Sequence, residues 1–138
     1  MKATTLALAA WALLGVGCRT GAPTMSALKS TYEEFEQRAR WGDSAELSQI
    51  VVSERRSGFL AARARDASDL SVTEVDLLDV NLSEDGTRAT VTSRMHWLRL
   101  PSASEHVENV RSDWVARGEQ WFLESMQGGP YPDLAPRK

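Results

Sequence analysis

Residues 87–100 read TRATVTSRMHWLRL, in which apolar and polar side chains alternate almost without a break. Ala89, Val91, Met95 and Trp97 project one way, and Arg88, Thr90, Thr92, Arg94 and His96 the other. A period of two predicts a strand with one face in a core and one in water. Ser83-Glu84-Asp85-Gly86 stands before it and ends in the Asp-Gly pair favoured in tight hairpin turns. Val72–Leu82 is also strand-like, but its alternation slips: Val75 and Leu77 share one face while Leu78, Val80 and Leu82 share the other, as a β-bulge would produce. Downstream, Pro101–Ser104 makes a loop, Glu105–Ala116 returns with Val110 and Trp114 on one face, and Arg117-Gly118 turns into Gln120–Met126 with Trp121 and Leu123 inward. Strands this closely spaced, with no helix between them, predict an antiparallel meander.

Upstream the period changes to 3.6. Met25, Leu28, Tyr32, Phe35 and Ala39 recur at spacings of three and four and mark one face of an amphipathic helix, with Glu34 and Arg38, and Glu36 and Arg40, paired on the other. Gly42 suits a left-handed cap that ends this helix near Trp41. Asp43-Ser44-Ala45-Glu46 has capping-box spacing and starts a second helix with Leu47, Ile50 and Val51 as its apolar stripe. A third, about Ser53–Arg65, would bury Phe59, Leu60 and Ala64 and expose Arg55, Arg56, Arg63 and Arg65. The expectation is an α+β domain over residues 25–126, with N-terminal helices packed on a curved antiparallel meander of about four strands. Residues 127–138 hold two glycines and three prolines and show no periodicity, so they are expected to be a disordered tail.

The start of the chain has a different character. Met1-Lys2 followed by the uncharged run Ala3–Val16 has the form of a secretory signal, and the run is too short to span a bilayer. It ends in Leu14-Gly15-Val16-Gly17-Cys18, which resembles the lipobox of bacterial lipoproteins, with Gly15 where that motif usually has leucine. The resemblance implies removal of residues 1–17 as a signal peptide and acylation of Cys18, with fatty chains such as palmitate. A lipidated tether, residues 18–24, would then hold the domain at a membrane of the bacterial cell envelope. Arg19 after Cys18 implies the outer membrane, on its periplasmic or surface face. Cys18 is the one cysteine of the 138 residues, so no internal disulfide can form. Its other reading is a free or intermolecularly paired thiol.

Helices followed by a long-stranded meander resemble the NTF2-like/SnoaL-like, cystatin-like α+β cone. The likeness rests on the Trp41-Gly42-Asp43 break, the Gly86-Thr87-Arg88-Ala89-Thr90-Val91 start of a strand, and the closing Gly118-Glu119-Gln120-Trp121. It implies a sheet curved around a long helix, with a pocket on its concave side. Trp97, Trp114, Trp121 and His96 are the residues expected to line such a pocket, although the same three tryptophans also suit an aromatic core layer.

Little in the chain carries chemistry. There is no nucleotide loop, nucleophile elbow or metal signature, and no cysteine remains once Cys18 is acylated. His96 and His106 could meet at one end of the sheet as a general-base pair, and Asp113 could mimic the pocket acid of relatives that act on steroids or polyketides. Alternation, however, sets Asp113 on the face opposite Trp114, where cross-strand ion pairs are common. The arginine-rich third helix could touch anionic headgroups, but Glu54, Asp66 and Asp69 dilute it. Removing Lys2 with the leader moves the formal charge from −3 to −4, which offers nothing to nucleic acid. The expected function is a non-catalytic binding or interaction module, anchored to the membrane by its lipid. It would use no cofactor or metal, and its partners would be envelope proteins or a small apolar ligand. The alternative is a small-molecule enzyme of the SnoaL-like isomerase or cyclase type.

Overall fold

Four strands run back and forth in chain order, β1-β2-β3-β4, every neighbouring pair antiparallel. The computed structural model describes residues 21–41, 43–66 and 69–138; the leader, Cys18, the start of the tether and Gly42 lie outside them. The elements are α1 (Met25–Trp41), α2 (Ser44–Ser48), α3 (Ser53–Asp66), β1 (Leu70–Leu82), β2 (Arg88–Arg99), β3 (Glu105–Arg117) and β4 (Gln120–Gln127), with a short 3-10 turn at Pro132–Leu134. No described helix is long and apolar enough to cross a membrane.

Ala89, Val91, Ser93, Met95 and Trp97 of β2 all turn into the core, as their alternation predicts. The irregularity of β1 proves to be two bulges. Thr73 and Leu78 are the extra residues, and past them Val75, Leu77, Val80 and Leu82 pair opposite Met95, Ser93, Val91 and Ala89. All four therefore share the inner side of the sheet, which corrects the expectation that Val80 and Leu82 leave it. Each bulge absorbs the one-residue slip that would have moved them.

Thr24 stands just before α1, and its side-chain oxygen accepts the Ala27 N–H at 3.1 Å. Leu28, Tyr32 and Phe35 press its apolar face onto the sheet. Trp114 of β3 meets the rings of Tyr32 and Phe35 edge-on, both at 6.1 Å between centroids. Asp43 caps α2 by accepting the Glu46 N–H at 2.7 Å. α2 is shorter than its stripe predicts, because the chain turns at Gln49–Ile50 and then runs beside β4 at Val51 and Val52 instead of continuing as helix. Val51 bridges Leu123 in parallel, while Val52 donates to Leu123 O at 2.9 Å and Leu123 to Ile50 O at 2.8 Å. This stretch covers part of the β4 edge, which would otherwise present unpaired backbone groups.

α3 also departs from expectation. It buries Phe59 and Ala62, leaves Ala64 exposed, and half-buries Arg55, Arg56 and Arg63. These guanidinium groups act as clips. Arg55 donates to the carbonyls of Glu124 at 2.8 Å, Leu134 at 2.9 Å and Ala135 at 2.5 Å, and Arg56 to those of Ser48, Gln49 and Val51 at 2.9–3.2 Å. The end of the chain is not a loose tail either. Gly128 and Gly129 take φ of 85° and 79°, so the chain folds back over β3. Tyr131 and Leu134 are then carried into the core at 2% and 0% exposure. Burying two such side chains contributes roughly 2 kcal/mol each toward holding the segment down.

Candidate functional site

The inner face of the sheet is where the sequence places a pocket, and it is occupied by the protein's own side chains. Trp114 is fully buried, and its Nε1 donates to Ser112 Oγ at 2.9 Å, whose hydroxyl in turn donates to Val91 O at 3.2 Å. Tyr131 packs on the far side of Phe35, with its ring 6.4 Å from Phe35 and 5.7 Å from Phe59, and the Arg63 guanidinium lies 5.2 Å from its centroid. Burial pushes the Tyr131 hydroxyl up to about 12 and that of Tyr32 upward as well. Ser93 is beside Tyr32, but no hydrogen bond of ordinary geometry forms there.

The expected pocket residues do not come together. Trp97 is eight residues from Ala89, the register partner of Trp114, a separation of about 26 Å along β2. It stacks instead on His106, at 5.4 Å and 15°. Trp121 is near Trp114 in register, but its Nε1 donates to Thr24 O at 3.2 Å, which ties β4 to the start of α1. His96 lies on the other face of the sheet from all three tryptophans. It pairs with Val107 while Trp97 pairs with His106, so the two histidines occupy opposite faces and form no general-base pair. Asp113 is on the outer face with Thr90 Oγ1 at 3.2 Å, Ser125 Oγ at 3.1 Å and Arg111 Nε at 3.5 Å. This is a half-buried polar cluster, with cross-strand hydroxyl contacts and an ion pair to Arg111 on the same strand, and not an acid in an apolar cavity.

Open clefts on the surface have mixed linings. One of about 370 Å³ lies between α3, β4 and the end of the chain, lined by Val52, Arg55, Glu124 and Arg137 together with Glu54 and Arg117. Arg117 grips Glu54 with both nitrogens, at 2.6 and 2.7 Å, and this pairing holds the carboxylate down to about 2. Another cleft of about 320 Å³ runs between Met25 and Lys29 of α1 and Leu77–Val80 of β1.

A further constellation was not foreseen from the sequence. Glu74 and Asp76 on β1 and His96 on β2 bring one ligand atom each within 4.8 Å of one another on the outer face. Glu105 of β3 reaches His96 Nδ1 at 3.4 Å, and Thr73 Oγ1 lies between β1 and β2, 3.2 Å from His96 O. Alternation alone would put Glu74 and Asp76 on one face. The bulge at Thr73, however, sets which residue of β1 meets His96, and no sequence signal locates it.

No family model and no curated protein sequence matches this chain. Solved structures resemble it in shape. A SEC-C motif containing protein from Rhodopseudomonas palustris superposes with a TM-score of 0.54 at 19% identity, over 80% of this chain and 81% of that one. A protein of unknown function with a cystatin-like fold from Nostoc punctiforme gives 0.51 at 14% identity, over 77% and 92%. The intermembrane space region of chloroplast protein ARC6 gives 0.52 at 15% identity, over 76% and 97%. The fold is α+β and similar to the cystatin-like one, helices first and then a four-stranded antiparallel sheet. Likeness at this identity carries the fold and no activity.

Proposed function

We propose that this chain is a lipid-anchored bacterial envelope protein whose cystatin-like domain is a non-catalytic interaction module. The observation that carries the reading is the filled inner face. Tyr131, Phe35, Phe59 and Trp114 occupy the space that a small-molecule enzyme of this shape would keep open for substrate. The candidate acids and bases lie apart, with Asp113 and His96 on the outer face and His106 stacked on Trp97. Partner recognition then falls to the surface, and envelope proteins are the favoured partners over a small apolar ligand.

The anchor in this reading is Cys18. Two or more acyl chains, at about 0.8 kcal/mol per buried methylene, hold a protein stably where one would not. Metabolic labelling with a fatty-acid analogue should mark the wild-type chain and not Cys18→Ser; an unlabelled wild type removes the anchor. For the module, wild type solubilised from membranes in mild detergent should retain specific envelope proteins. Turnover of a small hydrophobic substrate, lost in His96→Ala or Asp113→Ala, would replace the module with an enzyme.

A further inference from the structure

We infer that Glu74, Asp76 and His96 form a binding site for a divalent transition-metal ion of the zinc type, on the outer face of the β1–β2 hairpin. Across the ladder Glu74 pairs directly with His96, and Asp76 is the next residue of β1 on the same face. Two carboxylates and an imidazole thus converge from adjacent strands, each offering a ligand atom within 4.8 Å of the others. In a tetrahedral zinc site with bonds of about 2.0 Å the donors are about 3.3 Å apart. Closing that gap takes a rotamer adjustment of the two exposed carboxylates, while the paired strands keep the Cα positions in place.

The donor set selects the ion. An imidazole nitrogen favours zinc, nickel or copper, whereas magnesium and calcium sites are built from oxygens. Glu105 supports the assignment from the neighbouring strand. Its carboxylate lies 3.4 Å from His96 Nδ1, close enough to hold the ring once a metal is bound, as carboxylates commonly do behind metal-bound histidines. Three protein ligands leave a fourth position open to water or to a group from a partner. Arg94, the register partner of Asp76, is the neighbouring cation with which a metal would compete for that carboxylate.

The test is titration of the full chain, purified in detergent, with Zn²⁺ alone by calorimetry, and with Co²⁺ as a spectroscopic stand-in. The expected result is stoichiometric binding and a d–d absorption band. His96→Ala and Asp76→Asn should each weaken binding about tenfold or more, and Glu105→Gln by a smaller factor, with His106→Ala unchanged. Thermal melts without metal should match wild type and so separate ligand loss from misfolding. Absence of stoichiometric binding overturns the site, as does binding that survives His96→Ala or that falls equally in His106→Ala.

Discussion

Tyr131 packs against Phe59 of α3, ring centroids 5.7 Å apart and inclined at 62°. Through this contact the last residues of the chain become part of the core, sealing the side of the sheet that a relative with an open pocket would leave to solvent. Phe35 touches the same ring from α1, so one tyrosine joins both long helices.

Replacing Tyr131 by Ala should therefore destabilise the domain by about 3 kcal/mol, the cost usual for emptying an aromatic site in a core. Urea denaturation measures it. A loss below about 1 kcal/mol would mean that the segment rests on the surface without sealing it.

Arg55 joins α3 to β4 and to the chain end through three carbonyl oxygens. Arg55→Met keeps much of the aliphatic stem but leaves those acceptors without their donor, at a cost of about 2 kcal/mol. Arg65, exposed on the same helix, should change stability by less than about 0.5 kcal/mol when replaced by Ala. Limited proteolysis after Gly129 should accelerate in the first variant only.

Two glycines should respond with opposite signs. Gly129 has φ +79°, and a Cβ there would lie 3.2 Å from Val110 Cγ2, so Gly129→Ala should destabilise by about 1–2 kcal/mol. Gly58 lies within α3 with open space around its missing Cβ, so Gly58→Ala should stabilise by about 0.5–1 kcal/mol. Thermal melts of the pair decide; equal shifts would contradict the fold of the C-terminal segment over β3.

Stability should depend on pH at both ends of the scale. Glu54 is held down to about 2 by Arg117, and Asp85 to about 2 by hydrogen bonds from Ser83 and Thr87. A lowered folded-state value means that the unfolded chain takes up protons first as pH falls. The stabilisation is present above about 4.5 for Glu54 and is lost on the way down to about 2. Glu54→Gln should flatten that acid limb. Tyr131 is shifted the other way, from 10 to about 12, so the unfolded chain ionises first as pH rises and stability falls between those values. Tyr131→Phe should remove that alkaline loss.

Much of the architecture was legible from spacing. The 3.6-residue period of Leu28, Tyr32 and Phe35 matches the buried face of α1, and the alternation of Ala89 through Trp97 matches the inner face of β2. Asp43 caps its helix as the box spacing predicts. These features were readable because a repeat of apolar side chains, or a capping side chain, acts over a few residues and needs no knowledge of distant contacts.

What lay beyond the sequence has one physical cause, that its partners are far away along the chain. Ile50–Val52 leaves the helix because Leu123 offers backbone hydrogen bonds, and Arg55 is half-buried because Leu134 and Ala135 return to it. The tail orders because two glycines reverse it onto Val110, where Tyr131 finds Phe35 and Phe59. His96 meets Glu74 and Asp76 only through a register that the bulge at Thr73 adjusts. Local periodicity by itself determined the order of helices and strands and the inward faces of α1 and β2. Tertiary structure alone decided what fills the concave side and which polar groups meet on the convex one, because long-range register and packing energies set those contacts.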